Sequence, residues 1–477
     1  MKQIKSYFTD RNLTFTMYII ATLWVIFQII VIFLYWGAPQ FSDPDSYMQL
    51  AKECFKNGKW YPSAENIYQN FMFAPGFVNF LILQLKIFGT MNFNAVFNII
   101  MNISIAAQIY YLGKKFFTVK TATIAVILWC LIYNNTKAVW LSATEIPFLF
   151  MVLGGFCLCM HKSYLRLFLA GVLFALANWI RPLVPLFLIP ILVYLLLGKY
   201  SWKHYTTLFV SLLATVLIIG FSAQKRMGYF VYKSTTSGFN LIMVANDNAT
   251  GEYMNMSSTI IGSIKNGKDY TFKERDSIRM ARSINWIKQH PDKYAVSFIK
   301  RYYRLYSDGG KTWSNWCDSK IRYDIRKKQR DTMPSVAEIQ SLFESGKISR
   351  IEYLSFTTKK DRGTEMSIIE KLYILLNSKI NKTFVYNFIL IVFCLALIVR
   401  RKEWLSPKGV LLLFLLIFAA GSAIFPIAPR YSYPMSFAIV LIAAYGIEYF
   451  SIQFVSHRSK IQYWKSKISQ LQRNRKN

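Results

Sequence analysis

Met17 to Trp36 reads MYIIATLWVIFQIIVIFLYW, and shortly after it the chain reads Phe41-Ser42-Asp43-Pro44-Asp45-Ser46-Tyr47. The first stretch carries no charged residue and is long enough to span a bilayer. Two carboxylates therefore follow where a membrane helix ends, and acids at that depth are candidate site residues. The plainer reading is that Ser42 and the two aspartates turn the chain and cap a helix that begins near Tyr47. The choice depends on whether other polar anchors land on the same side of the membrane.

The 477 residues are 54% hydrophobic and 17% aromatic, a composition that excludes a single soluble core and fits a mainly α-helical, polytopic membrane protein. Lys and Arg number 57 against 24 Asp and Glu, for a formal charge of +33. In a soluble protein that balance would point to nucleic acid. Here the basic residues sit between apolar runs, where they set topology and meet anionic head groups, and nucleic acid is set aside as a partner. Four of the six cysteines lie inside apolar runs; Cys157 and Cys159 are too close together for a metal site, and Cys54 and Cys317 have room to meet outside the membrane. Lys2, Lys5 and Arg11 precede a long run without a small-residue cleavage site, which reads as an uncleaved anchor.

Further apolar runs cover Phe93 to Leu112, Thr121 to Tyr133, Ile146 to Met160, Leu165 to Ile180, Leu183 to Leu197 and Tyr205 to Phe221. Three more lie at Phe384 to Val399, Val410 to Phe425 and Tyr433 to Phe450. The organisation expected is a membrane module over 1–224 with an acidic first outer loop at 37–92, an extracytoplasmic domain over 225–382, C-terminal membrane helices over 383–456 and a basic cytoplasmic tail over 457–477. About 10–12 membrane helices result. Every short basic loop falls on the cytoplasmic side, with both termini, if Ala74 to Gly89 does not cross. Asp43, Asp45, Glu145, Arg181, the 225–382 domain and Arg430 then face outward. Within that domain, Lys273 to His290 and Pro291 to Tyr306 read as amphipathic helices, the second with a stripe of Tyr294, Phe298, Tyr302 and Tyr306 that suits packing and roofs the cavity above Asp43.

Glu145 opens a span in Thr144-Glu145-Ile146-Pro147, and Arg181 sits in the turn Trp179-Ile180-Arg181-Pro182. An acid at a helix start complements the dipole, and an arginine at the interface snorkels. Arg181 also supplies the planar donor that a lipid phosphate needs. The last outer loop, Phe425 to Pro434, frames Arg430, Tyr431 and Tyr433 with three prolines. An interfacial aromatic belt explains the tyrosines but leaves the arginine unexplained.

These stretches resemble the GT-C superfamily of polyprenyl-phosphate-sugar-dependent glycosyltransferases, particularly glycosyltransferase family 39, which includes protein O-mannosyltransferases and lipid A aminoarabinose transferases. The likeness is carried by the acid after the first span with Tyr47 to Glu53, by Thr144 to Pro147, by Gly238 to Leu241 with Asn246 to Gly251, and by Pro429-Arg430-Tyr431 with Pro434. Asp43 falls on the family's first acid, while the second has become Pro44 and Asp45 stands one position on. The Glu-Lys that some relatives carry after the first outer loop is replaced by Met72-Phe73-Ala74-Pro75-Gly76.

The resemblance implies a GT-C-like fold and inverting transfer of a monosaccharide from a polyprenyl-phosphate carrier to an acceptor hydroxyl on a lipid, glycan or protein, at the outer face of a bacterial cytoplasmic (inner) membrane. Asp43 or Asp45 is the base, with Asp43 preferred because Pro44 holds it off the helix while Asp45 serves as the cap. Arg181, Arg430, Tyr431, Tyr433, Glu145, Lys225 and Arg226 line the donor phosphate and sugar, and Asn246 and Asn248 the acceptor or lid. No cofactor is expected, two carboxylates separated by proline being a weak divalent-metal site. A transporter or a non-catalytic envelope-polymer assembly protein is the alternative; the first would show inverted repeats, and the second needs neither the acid nor the arginines.

Overall fold

The computed structural model describes residues 10–37, 40, 42–251, 264, 270–307, 341, 344–345 and 379–474. Among these, secondary structure is helical apart from one isolated antiparallel bridge between Met72 and Thr235. The first apolar run becomes α1 (Asp10–Tyr35), followed by α2 (Asp43–Lys56), α3 (Pro75–Phe88), α4 (Phe93–Phe116), α5 (Val119–Leu131), α6 (Tyr133–Lys137), α7 (Glu145–Cys159), α8 (Tyr164–Ile180), α9 (Val184–Leu197) and α10 (Trp202–Met227). Beyond it lie α11 (Ser237–Ile242), α12 (Phe272–Gln289) and α13 (Pro291–Ser307), then α14 (Lys379–Val399), α15 (Val410–Ala423) and α16 (Ser436–Asn474).

Among the described residues four helices are long and apolar enough to cross a membrane: α1, α4, α10 and the first part of α16. They make the chain a polytopic helical membrane protein. Side chains such as Phe33 and Ile218, 78% and 71% exposed on α1 and α10, present apolar surface outward, as a lipid-facing helix requires. The remaining apolar helices are shorter. At 1.5 Å per residue, the 14 residues of α9 reach only about 21 Å against roughly 30 Å of hydrocarbon, so a crossing by one of these helices needs the adjoining turns to complete the span. Inside the bundle, rings from three helices interlock: Phe156 and Phe187 lie 5.2 and 5.8 Å from Phe414, and Phe187 lies 5.6 Å from Phe418.

The basic loops gather at one end of this bundle. Lys162 donates to the Lys199 carbonyl at 3.4 Å, and the Lys408 ammonium lies 5.4 Å from the Phe117 ring. Glu145 starts α7 at the other end, together with the C-terminus of α8 and the turn Pro429–Met435.

The two helices expected beyond the membrane module form as α12 and α13, the first closed by a capping box in which Thr271 and Glu274 satisfy one another's backbone N–H. The stripe on α13 packs onto the bundle, with the Tyr306 hydroxyl donating to the Leu415 carbonyl at 2.8 Å. Cys54 is a buried free thiol on α2; Cys317, with most of 308–378, lies outside the described residues.

One expectation is corrected. The helix after the first span starts at Asp43 and not near Tyr47, with Pro44 in its first turn. Proline is tolerated there because the N–H it lacks has no intrahelical partner in any case. Pro44 therefore does not hold Asp43 off the helix, and Asp45 does not cap it.

Candidate active site

Four charged side chains from distant parts of the chain meet at the end of the bundle away from the basic loops. Arg430 pairs with Asp43, 387 positions away in sequence, and its Nε lies 3.5 Å from Glu145 Oε1. Arg181 Nη1 is 2.7 Å from the same Glu145 oxygen and 3.1 Å from Thr144 Oγ1, to which it donates. Tyr431 lies between the two arginines, its ring 5.0 Å from the guanidinium of Arg181 and 5.3 Å from that of Arg430. Two carboxylates and two guanidiniums thus neutralise one another. Glu145 is almost wholly enclosed, with a side chain 3% exposed, whereas that of Asp43 is 40% exposed. Asp43 is therefore the carboxylate of the cluster that an incoming molecule reaches.

Each member is held by local structure. Asp43 and Asp45 occupy the first turn of α2, where negative charge complements the helix dipole. Only Asp43 turns into the cluster; Asp45 accepts from Gln49 Nε2 one turn on, at 2.6 Å. Arg181 ends α8 in an extended conformation that the following Pro182 favours. Gly76 lets α3 pack against it, since a Cβ there would lie 2.7 Å from the Trp179 backbone.

Glu145 follows a buried, irregular segment. From α6 through Thr144 the backbone leaves regular helix, and at membrane depth its polar groups need partners within the protein. Asn98 Nδ2 donates to the carbonyls of Val139 and Leu141 at 2.9 and 3.0 Å, and Asn94 Nδ2 to Leu141 at 3.2 Å. Gln40 donates to the Trp140 carbonyl at 3.0 Å and accepts from the Ser142 N–H at 2.7 Å. Side chains on α4 and just after α1 thus supply the bonds that a helix would have made, and they fix the entry to α7.

Sequence reasoning did not single out Tyr47 as a site residue, although with the helix start at Asp43 it stands one turn further on the same face. It is half-buried between Phe73 and Phe77, whose rings lie 4.9 and 5.3 Å away. Burial, then the charges of Asp43 and Glu145, push its hydroxyl well above the ordinary tyrosine range, so it remains a neutral donor.

No protein-family model matches the chain, and no curated protein sequence matches it. Solved structures of the Archaeoglobus fulgidus oligosaccharyltransferase are similar to it. The apo form aligns at 12% identity over 96% of this chain and 52% of that one, with a TM-score of 0.46. The form tethered by a disulfide bond to an acceptor peptide containing the NVT sequon gives 12%, 95%, 51% and 0.47, and the complex with zinc and sulfate gives 12%, 91%, 50% and 0.41. This chain spans about half their length.

Of the other expected site residues, Tyr433 shares the Pro429–Met435 turn with Arg430 and lies within range of the Glu145 charge. Tyr433 is buried with its ring 5.8 Å from Trp129. Lys225 is exposed, and Arg226 turns to the Pro62 carbonyl at 3.4 Å and to Ser222 on its own helix. Asn246 Nδ2 donates to the Ile242 carbonyl, and its oxygen accepts the Asn248 N–H, so Asn246 makes a turn. Among the described residues no group of three or more His, Cys, Asp and Glu side chains is placed to hold a metal ion.

Proposed function

We propose that the chain is a GT-C-type glycosyltransferase that moves a monosaccharide from a polyprenyl-phosphate carrier to a hydroxyl at the outer face of the cytoplasmic membrane. Its termini are cytoplasmic, and Asp43 is the base. The observation that supports this reading is the convergence of Asp43, Glu145, Arg181 and Arg430 on one half-open site at the end of the bundle away from the basic loops.

The charge balance gives the order of events. With two carboxylates and two arginines the free site is neutral, and a phosphodiester brings one further negative charge. Arg430 turns from Asp43 to the phosphate, and Asp43 is released to face the acceptor hydroxyl. As the hydroxyl oxygen bonds to the anomeric carbon, its proton passes to Asp43; the bond from the anomeric carbon to the phosphate oxygen breaks, and its electron pair leaves with the phosphate. The resulting dianion is matched by the guanidiniums of Arg430 and Arg181, both in place once the donor is bound and before its bond breaks. Glu145 keeps the two arginines together when Arg430 leaves Asp43. Inversion follows from single displacement, since no second carboxylate is needed as nucleophile.

The test is direct. Purified full-length protein in lipid nanodiscs is incubated with a panel of polyprenyl-phosphate sugars and candidate acceptors, and release of polyprenyl phosphate is measured together with sugar transfer. Turnover of one donor that disappears in Asp43→Asn is the expected result. Absence of turnover across the panel, or turnover that survives the loss of Asp43, would overturn the reading.

A further inference from the structure

Arg301 on α13 is completely buried, and no carboxylate pairs with it among the described residues. Its Nε donates to the Ala423 carbonyl at 2.6 Å, its Nη1 to Ser297 Oγ at 2.6 Å, and its guanidinium lies 5.1 Å from the Tyr294 ring. Burying a guanidinium without a counter-charge is costly, so the position has to supply something that an apolar side chain would not. Ala423 is the last residue of α15, where carbonyls lack helical partners and carry the negative end of the dipole. Arg301 caps that end from a different element.

More bonds follow along the chain. The Tyr294 hydroxyl donates to the Ile424 carbonyl at 2.9 Å, and the Ile427 N–H donates to the Gly251 carbonyl at 3.2 Å. Gly251, at φ +84, closes its turn directly over Arg301; a Cβ there would meet Arg301 Cγ at 3.2 Å. Residues 423, 424 and 427 are therefore fastened in succession to α13 and to the Ala249-Thr250-Gly251 turn. Arg430 lies three residues beyond the last fastening.

We infer that Arg301 is a positioning residue for Arg430: by clamping the end of α15 and the loop after it onto α13, it holds the arginine that faces Asp43 and Glu145. Its role in transfer rests on the function proposed above; its role in placing Arg430 does not. The helices beyond the membrane module thereby share in building the site.

The test uses full-length protein in nanodiscs and the variant Arg301→Met, which keeps much of the bulk and loses the donors. Hydrogen exchange is expected to speed up in 424–431 and to stay unchanged in α4. The drop in thermal midpoint caused by Asp43→Asn is expected to shrink in the Arg301→Met background, because an ion pair that is no longer aligned has less to lose. Transfer is expected to fall by something on the order of 10²-fold, the scale of a misplaced group, and by no more when Arg430→Lys is added. Tyr294→Phe removes one bond at a less buried position and should move each readout the same way by less, which guards against a variant that merely fails to fold. Unchanged exchange at 424–431, or independent effects of Arg301→Met and Arg430→Lys, would overturn the inference. If exchange and the stability coupling behave as expected while wild-type protein turns over no donor, the glycosyltransferase reading falls and the clamp stands.

Discussion

Asp43 and Asp45 are two residues apart and chemically identical, yet their surroundings divide them. Asp43 faces Arg430, whereas Asp45 is held by Gln49 on the surface of α2. Asp43→Asn is therefore expected to lower transfer by about 10²- to 10⁴-fold, the range for loss of a general base, and Asp45→Asn to leave it near normal. Direct transfer assays on both folded variants decide the point, and the reverse pattern would move the base to Asp45. Glu145 demands a different measurement because it is buried against two arginines. Removing one partner of a buried ion pair costs about 3–5 kcal/mol, so Glu145→Gln should show a large fall in thermal stability whatever its role in chemistry. A variant as stable as wild type would show that water already reaches the pair. Residue identities make these side chains candidates, but the part of the preference for Asp43 that rests on Pro44 depends on a helix start near Tyr47, and the helix starts at Asp43. The pairing that now supports it joins residues 387 positions apart, which no local pattern encodes.

At the scale of elements, legibility followed the range of the interactions. The capping box and apolar periodicity of α12, and Pro291 at the start of α13, are local signals, and both helices form where they were expected. The start of α2 was misplaced because Asp-Pro-Asp reads as a turn as readily as it reads as a first helical turn. The irregular stretch before Glu145 was not legible, because its backbone bonds come from Asn94 and Asn98, more than 40 positions earlier. That segment gives the element-scale prediction. Asn98→Leu would strip the side-chain donor from the buried Val139 carbonyl at about 1–3 kcal/mol, while Leu141 keeps its bonds from Asn94 and the Ala143 N–H, and would loosen the entry to α7. A lower thermal midpoint, with weaker donor binding as Glu145 shifts, is expected. If the variant melted like wild type, another partner would have to be satisfying the Val139 carbonyl.

For the whole molecule, the question is which end of the bundle faces the cytoplasm. The loops containing Lys162 and Lys199 touch, as do Lys408 and the Phe117 loop, so the short basic connections form one face and the charge cluster lies at the other. Short loops rich in lysine and arginine stay inside during insertion, and on this rule Asp43, Arg430 and α13 are expected outside. The fold offers two well-exposed reporters: Tyr303 on α13, 73% exposed, and Leu405 in the connection before α15, 93% exposed. In a cysteine-free background, Tyr303→Cys should react with a membrane-impermeant maleimide on intact cells. Leu405→Cys should react only after permeabilisation. Both substitutions sit on open surface, where a change of side chain is worth within about 0.5 kcal/mol, so altered folding would not confuse the result. Labelling in the opposite order would turn the site toward the cytoplasm, where a sugar-nucleotide donor is the more natural partner, and would remove the polyprenyl-phosphate carrier from the mechanism even if Asp43 proved to be the base.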